Sequence, residues 1–133
     1  MADERFLLDT SALLTLIENG DGAARVEGLL RDGKVLLPWL VLLEVYYLSY
    51  QEEGEIKADQ RLAMLKQLDL EIMMEAGEEV LLTAGRLRAT HPISLADSII
   101  AAFAVQHKAI LIHNDPAYQV LAAEVSLECL NGA

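Results

Sequence analysis

The sequence predicts an α/β fold, a three-layer α/β/α domain around a central, mainly parallel sheet of four or five strands. Three observations carry this expectation. Short apolar runs alternate with longer segments of helical period, the pattern of strands joined by crossover helices and covered on both faces. The composition is 53% hydrophobic but only 5% aromatic, so the interior is built of Leu, Ile, Val and Ala. The length, 133 residues, is about one domain's worth, and residues 1–133 contain no linker, repeat or low-complexity tract.

The elements follow in order. Residues 5–10 read as a short buried strand ending on the polar cluster Asp9-Thr10-Ser11, and residues 11–19 place Leu13, Leu14, Leu16 and Ile17 at helical spacing before Gly20. A second helix starts at Asp21-Gly22, presents Val26, Leu29 and Leu30 on one face, and ends near Gly33. Residues 35–37 form a second strand, and Pro38 leads into an apolar helix reaching about Leu48. Residues 52–55, around Gly54, read as a solvated turn. Residues 58–68 have a helical period, 70–74 alternate as a strand, and 77–90 form a helix stopped before Pro92. Residues 94–107 are a helix opened by Ser94, and 109–112 a continuous apolar strand. A turn at 113–116, a short helix at 117–123 and a last strand at 125–129 complete the chain.

Charge narrows the function classes. With 10 Lys+Arg against 21 Asp+Glu, the formal net charge is -11, the opposite of the basic footprint of a duplex-coating protein. Residues 39–80 hold 10 of the acids against 3 bases, a largely solvated acidic surface. The longest apolar stretch, residues 35–43, is about half of the roughly 20 residues a membrane helix needs. Met1-Ala2-Asp3-Glu4-Arg5 lacks the positive start of a secretory signal, and Cys129 has no partner for an internal disulfide. The expectation is a cytoplasmic protein without membrane contact.

Four acids stand apart from that surface. Asp9 and Asp115 each follow an apolar strand and precede a helix, where each also reads as an ordinary cap. Asp97 lies three residues after Ser94, in the pattern of a capping box. Glu44 is different, because its neighbours at three and four residues' distance are Leu40, Val41, Tyr47 and Leu48. A carboxylate on that face loses solvation, so it needs a basic partner, hydrogen-bond donors or a metal. Asp9, Asp97 and Asp115 all belong at the carboxyl edge of a parallel sheet, where sites form in open α/β folds. If the Glu44 helix packs there too, four carboxylates converge, a cluster tolerable only with protons or divalent cations inside it. Oxygen ligands without Cys or paired His favour Mg²⁺ or Mn²⁺ over Zn²⁺.

Four segments, taken in order, carry a resemblance. Leu7-Leu8-Asp9-Thr10-Ser11, Glu44-Val45-Tyr46-Tyr47, Leu95-Ala96-Asp97-Ser98-Ile99-Ile100-Ala101 and Leu111-Ile112-His113-Asn114-Asp115-Pro116 are similar to the successive motifs of PIN domains. The chain resembles most the short, stand-alone VapC-type toxins of toxin–antitoxin pairs, over nearly its whole length. That resemblance implies a metal-dependent ribonuclease with Asp9, Glu44, Asp97 and Asp115 as its acidic cluster and Mg²⁺ or Mn²⁺ as its cofactor. In the family picture Asp9 and Asp97 anchor the ion, Asp115 supports it directly or through water, and Glu44 is a ligand or a water-orienting base. Ser11 matches the hydroxyl residue often found beside the first Asp, with Thr10 adjacent. His113 departs from the pattern, which commonly has Thr or Ser at that position. The resemblance further implies an RNA substrate, a cognate antitoxin and a homodimer. Apolar excess in the helices at 39–50 and 77–90 gives the homodimer a physical motive.

Two rival classes are distinguishable. A phosphoaspartyl phosphatase needs a second Asp two residues after the first, where this chain has Ser11, and a phosphate receiver wants Lys where His113 stands. A non-catalytic PIN-like module would instead receive a partner's Arg or Lys in its acidic pocket.

Overall fold

The computed structural model describes residues 4–131, so residues 1–3 of the N-terminal reading above lie outside it. Five strands form one sheet in the order β3-β2-β1-β4-β5, and every neighbouring pair is parallel. They are β1 (Arg5–Leu8), β2 (Val35–Pro38), β3 (Glu71–Met73), β4 (Ala109–His113) and β5 (Leu127–Cys129). Six α-helices flank the sheet: α1 (Thr10–Ile17), α2 (Ala23–Asp32), α3 (Trp39–Glu53), α4 (Glu55–Leu65), α5 (Gly77–Thr90) and α6 (Leu95–Gln106). A 3₁₀ turn at Pro116–Leu121 links β4 to β5. The arrangement is the expected three-layer α/β/α fold.

The core lies where the strands are most apolar. Leu7, Leu8, Leu37, Leu111 and Ile112 are fully buried on the sheet, and Leu13, Ile100 and Phe103 cover it from α1 and α6. Each such side chain contributes about 1.5–3 kcal/mol by leaving water. Register places Leu7 beside Leu36 on one side and Leu111 on the other, and Leu8 beside Ile112. The chain builds outward from β1 through β2 to β3, then returns to lay β4 on the other side of β1. The topology therefore switches between β1 and β4, the place outside the carboxyl ends of the strands where open α/β sheets form their sites.

Several boundaries differ from the sequence reading. β1 stops at Leu8, because Asp9 caps α1 and helix begins at Thr10. α3 runs on to Glu53 rather than ending near Leu48, since Gln51, Glu52 and Glu53 are good helix formers. The turn expected over 52–55 shrinks to Gly54, whose φ of 90° is open to glycine, and α4 starts at once with Glu55. The short helix after Pro116 is 3₁₀, and β5 begins at Leu127 instead of Val125. Among the described residues no helix is long and apolar enough to cross a membrane.

Candidate metal centre

Asp9 stands at the switch point. Its carboxylate is buried, with 2% of the residue exposed, and caps α1 by accepting the Ala12 N–H at 2.8 Å. The Ser11 hydroxyl faces both Asp9 oxygens, at 2.8 and 2.9 Å, and accepts the Asn114 N–H at 2.8 Å. The Asp9 N–H donates to the Ile112 carbonyl at 3.1 Å. The ends of β1 and β4 are thus fastened together through Asp9 and Ser11.

Burial raises the Asp9 carboxyl from its ordinary 3.8 to about 7, and the charge of Asp97 adds to the rise. Hydrogen bonds from Ala12, Ser11 and Tyr118 oppose it. Desolvation is thus the leading cause, ahead of the like-charge repulsion that the sequence emphasised. Among the described residues, no Lys, Arg or His forms an ion pair with this carboxylate.

Asp97 occupies the first turn of α6, where Ser94 caps the helix by accepting the Asp97 N–H at 3.1 Å. Its half-buried carboxyl is also raised, first by desolvation and then by the charge of Asp115, against the hydrogen bond from Tyr118. The Tyr118 hydroxyl donates to Asp97 Oδ1 at 3.1 Å, and the charges of Asp9 and Asp97 both act on it. Tyr118 is the residue of this edge that the sequence reading missed. One aromatic in a short apolar turn reads as core, and its ring is fully buried; nothing in its spacing tells where the hydroxyl points.

Asp115 caps the 3₁₀ turn by accepting the Ala117 N–H at 2.9 Å. His113 is buried at the end of β4, its Nδ1 accepts the Asp115 N–H at 3.1 Å, and its ring lies 4.9 Å from that of Tyr118. That acceptor role puts the proton of the neutral ring on Nε2. Burial also lowers the His113 pKa, favouring the neutral form. Glu44, partly buried on α3, accepts a hydrogen bond from the Thr10 hydroxyl at 2.5 Å. Of the partners weighed for Glu44, a hydroxyl donor is therefore present.

The structure sets Asp9 and Asp115 within electrostatic reach of Asp97, and ties Glu44 to the residue following Asp9. It does not close them further. Among the described residues, no three His, Cys, Asp or Glu side chains are placed to share one ion. The donor chemistry still fits a hard divalent cation: every candidate ligand atom is a carboxylate oxygen, and among the described residues the most buried, Asp9, is in no ion pair. A separate open groove of about 720 Å³ runs between α1, α2 and α4, with Leu16, Ile17, Leu30 and Met64 along it and Lys57 and Arg61 at its side.

Comparison with known proteins bears on this edge. The family described as PIN domain matches residues 6–124. Solved structures share the fold at low identity. VapBC2 from Rickettsia felis, bound to a DNA fragment from its promoter, superposes with a TM-score of 0.76 at 20% identity, covering 93% of this chain and 97% of that one. VapBC-1 from nontypeable Haemophilus influenzae gives 0.74 at 18% identity, covering 95% and 98%. VapC20 from Mycobacterium tuberculosis, a toxin that cleaves the sarcin–ricin loop, gives 0.68 at 18% identity, covering 90% and 95%. No curated protein matches the chain.

Proposed function

This chain belongs to the PIN domain family, and we propose that it is a Mg²⁺- or Mn²⁺-dependent endoribonuclease, the toxin of a VapBC-type pair. The observation that carries the reading is Asp9: a carboxylate buried beside Asp97 at the carboxyl edge of the sheet and, among the described residues, in no ion pair. Asp9 and Asp97 would hold the ion, with Asp115 supporting it directly or through water. Once bound, it would supply a Lewis acid for a phosphodiester oxygen and make a water molecule more acidic. Glu44 would act as a ligand or orient the attacking water, one of its oxygens held by Thr10. Ser11 keeps Asp9 aimed by facing both its oxygens. His113, neutral and engaged at Nδ1, shapes the wall behind Asp115.

Partners fit the same reading. VapBC complexes among the structural neighbours favour a cognate antitoxin, and the groove between α1, α2 and α4 suits an amphipathic segment of it. Exposed Leu43, Tyr47 and Tyr50 recur on α3 at the spacing of one helix face, and Leu81 and Leu82 are exposed on α5. These apolar faces suit a second copy of the chain.

A second reading has one observation in its favour: a partner's Arg or Lys would answer Asp9's lack of a cation as well as a metal does, making the chain a binding module. Incubation with RNA and Mn²⁺ separates the two. The nuclease cleaves, and chelator or Asp97→Asn stops it; the module leaves RNA intact under every condition.

A further inference from the structure

Tyr118 has a ring with no solvent exposure and a hydroxyl aimed at acids. The ring is fixed against His113, 4.9 Å away, and His113 is in turn held by the Asp115 N–H. The hydroxyl therefore stands still between β1 and α6. It donates its one proton to Asp97 Oδ1 at 3.1 Å. The charges of both Asp9 and Asp97 act on it, so it lies within electrostatic reach of both acids. Among the described residues, Ser11 and Ala12 hydrogen-bond Asp9, while Ser94 accepts the Asp97 N–H and also acts on its carboxyl. Tyr118 is the fully buried side chain that donates to Asp97.

We propose that Tyr118 is a positioning residue, whose hydroxyl orients the Asp97 carboxylate beside Asp9 for a divalent ion. This rests on the reading of those two acids as ion ligands. Hydrogen-bond partners of ligating carboxylates commonly change metal affinity by 10–100-fold when removed. Tyr118→Phe removes the oxygen and keeps the ring packed on His113, so its effect belongs to the hydroxyl.

The test is the Mn²⁺ dissociation constant, with free ion counted by electron paramagnetic resonance. The parent, Tyr118→Phe and Asp97→Asn proteins are compared, with melting curves in chelator alongside. The expected result is a melt for Tyr118→Phe close to that of the parent, with Mn²⁺ binding weakened about tenfold. A role confined to packing would leave the dissociation constant where it was. An affinity within twofold of the parent overturns the proposal while leaving the ligand reading intact, provided Asp97→Asn loses the ion. A Tyr118→Phe protein that no longer folds also overturns it, since the hydroxyl is then structural. Equal Mn²⁺ affinity in parent and Asp97→Asn refutes the ligand reading, and this inference with it.

Discussion

Asp9 holds a proton to about pH 7 in the fold and to about 3.8 in the unfolded chain. Between those values the folded state binds the proton and the unfolded state does not, so this group's contribution to stability falls as pH rises from 4 to 7. The loss amounts to as much as about 4 kcal/mol, at 1.36 kcal/mol per pKa unit. Asp9→Asn keeps an acceptor for the Ala12 N–H and cannot ionise. In chelator at pH 8 it should therefore melt several degrees above the parent, and the parent's advantage at pH 5 over pH 8 should shrink. An Asp9→Asn protein that melts lower at pH 8 would show that the buried carboxylate carries no such penalty. Glu44→Gln is expected to differ, because Thr10 donates equally well to an amide oxygen. Its melt in chelator should stay within about 1 kcal/mol of the parent, as is usual where no network breaks; a larger loss would mean that Glu44 balances a buried base. The capping roles of Asp9, Asp97's helix and Asp115 were legible in the sequence because caps are local. The Tyr118 hydroxyl was not, because its acids lie 21 and 109 positions away in the chain.

Caps and tight turns deliver the acids to the edge. Ser94 opens α6 and so sets the height of Asp97 beside Tyr118. Ser94→Ala should cost about 1 kcal/mol, the usual worth of such a cap, which denaturant unfolding measures. Gly22, at φ 101° before α2, presses on the residue that follows β5, where an added Cβ would stand 2.9 Å from Leu130 Cβ. Leu130 also donates its N–H to the His113 carbonyl at 2.8 Å, so the contact reaches the end of β4. Gly22→Ala should destabilise by at least about 2 kcal/mol through left-handed backbone and overlap together; a neutral result would show that this corner yields. Periodicity located every helix and strand, since an alternation between apolar runs and amphipathic stretches leaves few alternatives. Periodicity failed at ends governed by competition: α3 overran its expected stop because solvated Gln and Glu continue a helix as readily as they leave it.

For the whole molecule, the parallel order β3-β2-β1-β4-β5 matters most, because it sets the ends of β1 and β4 side by side and makes one edge of separate motifs. The sequence implied a parallel sheet, but strand order depends on long-range packing that no local pattern states. Two exposed apolar helix faces point to association. The parent should scatter light as twice 14.6 kDa at tens of micromolar, and Leu43→Glu with Leu81→Glu should return it to the monomer mass. A parent that is monomeric at that concentration would refute the dimer. A single cleavage assay decides whether divalent-ion-dependent RNA hydrolysis takes place at the Asp9–Asp97 edge. Purified protein is incubated with structured RNA and Mn²⁺, beside the same reaction in excess chelator and the same reaction with Asp97→Asn. Discrete fragments are expected in the first reaction and intact RNA in the other two. Equal cleavage by parent and Asp97→Asn, or cleavage undiminished in chelator, would contradict it.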